Sequence, residues 1–481
     1  MNRTQELAHG VIMAGITGTT FDPSLPRFGG YLLFAGDGAT VGNVRALTDA
    51  LRGRDEELPP VIAIDQEGGP VARLRRDVEP MPSMMSLGAA DDIALAQRAG
   101  EQTAFDLRRA GCTLDFAPVL DLALESANAV IGTRSFGADP RRVASMGEAF
   151  ARGLRSAGVI PCYKHFPGHG ATSLDSHATL PVIETDAATL RARDLVPFAA
   201  VAPTAPAMMS AHVCVPAFDP DHPATLSRRI ASDLLRAELG FRGAFVTDCL
   251  EMSAVAANGF VESAVAALAS GADLLLFSHD PVLAVTAADA IATAVNEQRI
   301  PRERLEEAHA RVVILREAGA QPLPLDAFPP HPGVGREIGR RAVTLLHGVP
   351  HADPLSSIAV CFGARAPMLA REAPALEELW PSIDPPAQEM QAVLTRLVES
   401  ERRPLVLAQR PHRHPAQAEA IGGILERYPN TLLVSLFEPF GVALFANARH
   451  SLAVYGDDVS SIGGLADVIF GSAMPTGRLP L

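Results

Sequence analysis

The sequence predicts an α/β protein: a closed (β/α)8 barrel followed by a smaller α/β domain. Three observations carry this. Eight short apolar runs recur through the first 280 residues, with helical stretches between most of them. A proline-rich stretch at 321–333 then breaks the pattern. A second, shorter series of apolar runs and helices follows it. Strands alternating with helices build a parallel sheet, and strands that are apolar throughout are buried on both faces. Eight such units close into a barrel; an open doubly wound sheet is the rival arrangement.

The runs are VIMAGITG (11–18), GYLLFAG (30–36), VIAIDQEGG (61–69), TLDFAPVLDL (113–122), VIPCYKHFPGHG (159–170), AMMSAHVCV (207–215), AFVTDCLEM (244–252) and DLLLFSHD (273–280). Helical stretches separate them at 41–57, 94–111 and 227–240, and another closes the series at 304–319. Each run has a polar tail: Asp65, Asp121, Lys164 with His165, His212, Asp248 and His279 among them. Barrel active sites lie at the C-terminal ends of the strands, so the tails mark that end as the chemical one. The expected division is a barrel over 1–320, a linker over 321–334 and a C-terminal α/β domain over 335–481. In the last, strands are expected at 357–363, 404–409, 431–437 and 451–456, with helices around 386–400 and 415–427.

Composition narrows the function. The chain has 481 residues, 48% of them hydrophobic, and a net charge of −14. That is enough apolar mass for a sizeable core, and the acidic balance disfavours nucleic acid as the main partner. Five scattered cysteines without a CxxC pair read as reduced thiols. No signal-peptide pattern or uninterrupted apolar span of about 18 residues is found, so a cytoplasmic protein without membrane contact is expected. Of the 41 basic residues only one is lysine, Lys164. Where arginine is used everywhere else, the surviving lysine marks a place that needs a compact ammonium rather than a planar guanidinium.

The segment KHFPGHGATSLDSHATLP (164–181) is the densest in chemistry. His165, His169 and His177 have an H-x3-H-x7-H spacing that matches no strong zinc signature, and Lys164 beside them disfavours a cation, so no metal or other cofactor is expected. Asp175 and His177 lie two apart, so that both side chains can point the same way. A carboxylate on one imidazole nitrogen fixes the tautomer and raises the basicity of the other, which makes a proton shuttle near neutral pH; a plain loop-bracing bond is the bland alternative. Asp248 ends an apolar run, where a carboxylate suits a nucleophile or an ion pair with arginine. Glu251 is expected at a helix start, and His212 in the pocket wall. Asp65, Arg73 and Arg134, with Lys164 and His165, form an inventory that grips vicinal hydroxyls.

Together IDQEGGPVARL, FAPVLDL, NAVIGTRSFG, KHFPGHG with DSH, SAHVCVPA, PATLS and GFRGAFVTDCLEM resemble glycoside hydrolase family 3, in its β-N-acetylglucosaminidase branch. The resemblance covers most of the first 320 residues, and VIFGSAMPTGRLPL resembles the usual close of the family's second domain. It implies a TIM barrel with an α/β sandwich behind it. It also implies Asp248 as nucleophile, His177 as acid/base with Asp175 as its partner, and Asp65, Arg73, Arg134, Lys164 and His165 as sugar ligands. Two departures stand out: Pro70 replaces a common arginine, and Cys249 follows the nucleophile where Asp or Ala is common.

The expected reaction is a retaining, two-step cleavage of terminal N-acetyl-β-glucosaminides. The alternative is a phosphorylase of the same branch, because a neutral imidazole does not repel phosphate as a carboxylate base would. A Schiff-base aldolase using Lys164 and a non-catalytic sugar-binding protein are the remote alternatives. Aromatic residues are 5% of the chain, and its one tryptophan, Trp380, lies outside the barrel. Long polysaccharide sites stack sugars on aromatic platforms, so a small amino-sugar glycoside of the muropeptide or chitobiose type is the expected substrate.

Overall fold

The computed structural model describes residues 2–36, 38–172, 180–321 and 330–481. Eight parallel strands form one sheet: β1 (Ile12–Thr17), β2 (Gly30–Phe34), β3 (Val61–Ile64), β4 (Leu114–Asp115), β5 (Ile160–Phe166), β6 (Ala207–Ser210), β7 (Ala244–Val246) and β8 (Leu275–Phe277). β8 pairs with β1, and a parallel bridge from Val246 to Leu274 brings β7 against β8, which closes the ring. The alternation of the strands sorts their side chains. Met13, Leu32, Ala63, Leu114, Ala207 and Leu276 pack together in the barrel interior. Their neighbours Ile12, Leu33, Ile62, Met208 and Leu275 join the helices in the outer core. A parallel sheet covered on both faces needs apolar residues at every position, which is why the runs read as continuous.

The helices begin where side chains satisfy their first amides. Asp92 caps Ile93–Arg109 through the Leu95 amide. Asp139 caps Pro140–Ser156, and Asp280 caps Pro281–Asn296. Two expectations shorten. The helix at 41–57 ends at Arg52, followed by Gly53. The fourth strand, expected over 113–122, is ladder-paired only at Leu114–Asp115, since Pro118 has no N–H to give. Its continuation still lies along β5, where the Leu120 amide donates to the Lys164 carbonyl at 2.7 Å.

A second sheet of six strands follows: β9 (Thr344–His347), β10 (Ser357–Cys361), β11 (Glu377–Leu379), β12 (Arg403–Gln409), β13 (Leu432–Leu436) and β14 (His450–Val454), in the order β9-β14-β13-β12-β10-β11. β9 runs antiparallel to β14 and the rest are parallel. Helices Ala387–Ser400 and Pro415–Arg427 fall where the sequence puts them. The two edge strands were not foreseen: β9 is short and half exposed, and β11 reads Glu-Glu-Leu. Charge on an edge strand discourages pairing with other chains and hides the strand from hydrophobic patterning. The expected linker at 321–334 falls mostly outside the described residues, and the helix Val334–Ala342 begins at its end.

The second sheet packs against the barrel through Met85, Ala89, Ala123, Ala342, Ala453 and Tyr455. Ser83 Oγ donates to the Tyr455 carbonyl at 2.7 Å, and Ser460 Oγ to that of Pro80 at 2.6 Å. The C-terminal segment returns to the barrel, where the Ala138 amide donates to the Pro480 carbonyl at 2.8 Å. No helix among the described residues is long and apolar enough to cross a membrane.

Candidate active site

The polar tails converge on the C-terminal mouth of the barrel, around a cavity of about 580 Å³. Asp65, Arg73, Arg134, Lys164, His165 and Asp248, all expected from the sequence, line it, and so does His169. Asp175 and His177 lie outside the described residues.

Asp65 follows β3, where Gly68 and Gly69 turn the chain back toward Arg73. Gly68 (φ +96°) leaves no room for a side chain: a Cβ would stand 2.5 Å from the Pro82 carbonyl oxygen. This turn buries Glu67 beneath the cavity. Lys164, 2% exposed, extends from β5 between two carboxylates, with Nζ 2.8 Å from Asp65 Oδ1 and 2.6 Å from Glu67 Oε1. Arg134 grips Glu67 with two bonds of 2.8 Å. Burial would raise the Glu67 carboxyl, but Arg134 and Lys164 outweigh it and bring the group to about 2. Burial works against the Lys164 ammonium too, and Asp65 and Glu67 hold its pKa above the ordinary value. An amine locked as ammonium is unsuited to imine formation, which weighs against aldolase chemistry. Arg73 is looser, 3.9 Å from Asp65 Oδ2 and stacked over Phe34.

Asp121, at the end of FAPVLDL, organises the histidines. His165 Nδ1–H donates to Asp121 Oδ2 at 2.6 Å, which turns Nε2 toward Arg134 at 3.4 Å. The His169 amide donates to Asp121 Oδ1 at 2.6 Å. Burial opposes the Asp121 charge, yet the two histidines and this amide hold its carboxyl below the ordinary range. Gly170 permits the close approach of the two segments, since a Cβ there would lie 2.1 Å from the Leu122 carbonyl oxygen. Asn128 then ties the turn down. Its Nδ2 donates to the His169 carbonyl at 3.0 Å, and its Oδ1 accepts from the amides of Val130 and Ile131 at 3.1 and 2.9 Å.

The second sheet reaches this loop. Arg413 donates to the carbonyls of Ser126 and Asn128 at 2.9 and 3.1 Å. Glu438, 1% exposed, holds Arg413 at 3.0 Å and Arg410 at 2.7 Å.

Asp248 follows β7, half-buried, and its Oδ1 accepts from the Cys249 amide at 2.7 Å. Its other oxygen has no hydrogen-bond partner among the described residues. Burial disfavours its charge, but His212, His165, that amide and Lys164 keep its pKa below the ordinary value. It is therefore an ionised carboxylate facing the cavity. His212 is not in the pocket wall as expected. It is buried behind Asp248, where Nε2–H donates to the Cys249 carbonyl at 2.8 Å and Nδ1 meets Thr225 Oγ1 at 2.7 Å. Glu251 stands two residues ahead of the short helical turn Ser253–Asn258, and its carboxylate accepts from the amides of His279 and Asp280 at 2.7 and 2.9 Å, just ahead of Pro281–Asn296.

Residue-type reasoning singled out neither Glu67 nor Asn128, and it gave Asp121, one of the polar tails, and His169, one of the loop histidines, no role in the site. Glu67 sits in the run VIAIDQEGG, but nothing in that run says that it turns inward beside Asp65. Below the floor, Asp115 accepts from the Gln66 amide at 2.9 Å, and its Oδ2 has no partner. Burial pushes its pKa up to about 8. Among the described residues no group of three or more His, Cys, Asp or Glu side chains is placed to hold a metal ion.

The glycosyl hydrolase family 3 N-terminal domain matches residues 24–315, more than half of the chain. The chain belongs to glycoside hydrolase family 3. A family relationship is equally plain in a beta-hexosaminidase of Pseudomonas aeruginosa, 40% identical over 257 residues, which cover 53% of this chain and 76% of that protein. The structure of a family 3 beta-N-acetylglucosaminidase from Paenibacillus sp. FPU-7 superposes with a TM-score of 0.92 at 30% identity, covering 100% of this chain and 98% of that one. NagZ from Neisseria gonorrhoeae, in complex with N-trifluoroacetyl-D-glucosamine, matches with a TM-score of 0.54 at 30% identity, covering 64% of this chain and 98% of that one. This family 3 chain is a glycoside hydrolase, with the barrel-plus-second-sheet architecture along its full length.

Proposed function

We propose that the protein is a retaining β-N-acetylglucosaminidase that releases terminal N-acetyl-β-glucosaminyl groups from small glycosides. In this reading the Asp248 carboxylate attacks the anomeric carbon while the bond to the leaving oxygen breaks, and His177 gives that oxygen its proton. His177, steadied by Asp175, then takes a proton from water as the water displaces Asp248 from the glycosyl-enzyme. Asp65 accepts from sugar hydroxyls, and Lys164, Arg134 and Arg73 donate to them.

The observation that carries this reading is the ionised Asp248 opposite the Lys164–Asp65–Glu67–Arg134 array, across one cavity of about 580 Å³. That volume suits one or two sugars better than a polymer. Support for the acid/base assignment comes from the segment that leads into 173–179: Thr172 is bonded to His169 at 3.0 Å, and His169 lines the cavity. Support for the amino-sugar substrate comes from the beta-hexosaminidase and beta-N-acetylglucosaminidase relatives.

The test compares initial rates on 4-nitrophenyl N-acetyl-β-glucosaminide and on the β-glucoside, each with and without millimolar phosphate. The N-acetyl substrate should turn over faster, at a rate phosphate does not change, with free N-acetylglucosamine as product. Phosphate-dependent turnover giving a sugar 1-phosphate would replace water by phosphate as acceptor. Inactivity on both sugars would overturn the reading.

A further inference from the structure

A second cavity lies in the other sheet. β10 stands beside both β11 and β12, all parallel. The chain leaves β10 for β11 on one side and then crosses to β12 on the other. The crossovers diverge there, so a crevice opens beyond the C-terminal end of β10. In open α/β sheets this switch point is where ligands bind. Here it holds a cavity of about 780 Å³, larger than that at the barrel mouth.

Its lining is that of a built site. Gln409, at the end of β12, is only 7% exposed and its backbone is satisfied by Gln417, yet its side-chain amide has no partner among the described residues. Gly363 (φ +70°) keeps the space above it open, for a Cβ there would stand 3.3 Å from Gln409 Oε1. Trp380 follows β11, 45% exposed as a residue, with the edge of its ring fixed by a 3.0 Å bond from Nε1–H to Glu378. A fixed indole with an accessible face is a platform for a pyranose.

Two cations of the lining stand open to an anion. Glu372 is committed to Arg336 at 2.9 Å, and Glu389 to Ser382 Oγ at 2.6 Å. Arg365 and Arg371 line the same cavity, and neither has a carboxylate partner among the described residues. Asp457 adds a carboxyl able to accept from hydroxyls.

We propose that the crevice at the end of β10 is a second ligand site, and that it takes an anionic sugar, a pyranose bearing a phosphate or a carboxylate. The ring stacks on Trp380, the Gln409 amide bonds ring substituents from the floor, and Arg365 and Arg371 meet the anion. Such a ligand would bind with or without turnover at the barrel mouth.

Trp380 is the only tryptophan in the chain, so its emission reports this crevice separately from the barrel. The experiment titrates the full-length protein with N-acetylglucosamine 6-phosphate, N-acetylmuramic acid and neutral N-acetylglucosamine. The expected result is a saturable change in emission with one or both anionic sugars, at least about tenfold weaker for the neutral one and for an Arg365→Ala/Arg371→Ala variant. Both arginines are exposed, so that variant should fold. A response confined to one anionic sugar identifies phosphate or carboxylate as the recognised group. An equal response to the neutral sugar, one unchanged in the double variant, or none with any sugar up to about 10 mM would overturn the proposal.

Discussion

Asp248 and Lys164 are two residues of opposite charge whose replacement should have opposite signatures. Asp248→Asn keeps the shape and removes the charge, so kcat on the aryl N-acetylglucosaminide should fall by about a thousandfold or more with the melting temperature nearly kept. Lys164→Met removes the cation that Asp65 and Glu67 share, leaving Glu67 with Arg134 and Asp65 with the looser Arg73, and stripping one partner from a buried charge cluster costs about 3–5 kcal/mol. Thermal unfolding should register that loss. Lys164→Arg should not rescue it, because a forked guanidinium does not fit a slot 2.6–2.8 Å from two carboxylates. The sequence made Lys164 and Asp248 legible, one by its rarity and one by its place after an apolar run. It did not make Glu67 legible, because its partner Arg134 lies 67 residues away and only the closed barrel brings the two together.

Elements were legible in proportion to their burial. All eight barrel strands could be placed because each is apolar on both faces. β9 and β11 could not, being edges that face water on one side. The loop at 125–134 was equally opaque: its conformation is fixed by Asn128 and by Arg413 from the other sheet, and neither has a local signature. It is also where the second sheet bears on the first. Arg413→Ala removes the bonds to Ser126 and Asn128 and leaves Glu438 with Arg410 alone. Activity on the aryl substrate should drop several-fold while the second sheet stays folded, with Trp380 emission as the control. Asn128→Ala should drop it further, since about 1–3 kcal/mol of anchoring is lost directly beneath His169. An Arg413→Ala enzyme with wild-type kinetics would mean that the barrel holds this loop unaided.

Over the whole molecule, pH pulls on two buried carboxyls in opposite directions. Glu67 has a folded pKa of about 2, below its unfolded value near 4.3. Its stabilisation is therefore complete above about pH 4.5 and lost as the pH falls toward 2. Asp115 is raised to about 8, so it favours the folded state fully only below its unfolded pKa near 3.9, and that contribution is lost as the pH rises through about 8. The difference in melting temperature between wild type and Asp115→Asn should thus shift in favour of the variant between pH 5 and pH 8; a flat difference would mean that Asp115 ionises normally. Lys164 is the one lysine of the chain. Feeding lysine labelled with nitrogen-15 at Nζ alone would place a single resonance in a 50.7 kDa protein, at an ammonium shielded from solvent in the sugar-binding array. Its chemical shift and hydrogen-exchange rate would follow occupancy of the barrel mouth with no assignment step and no reporter group added.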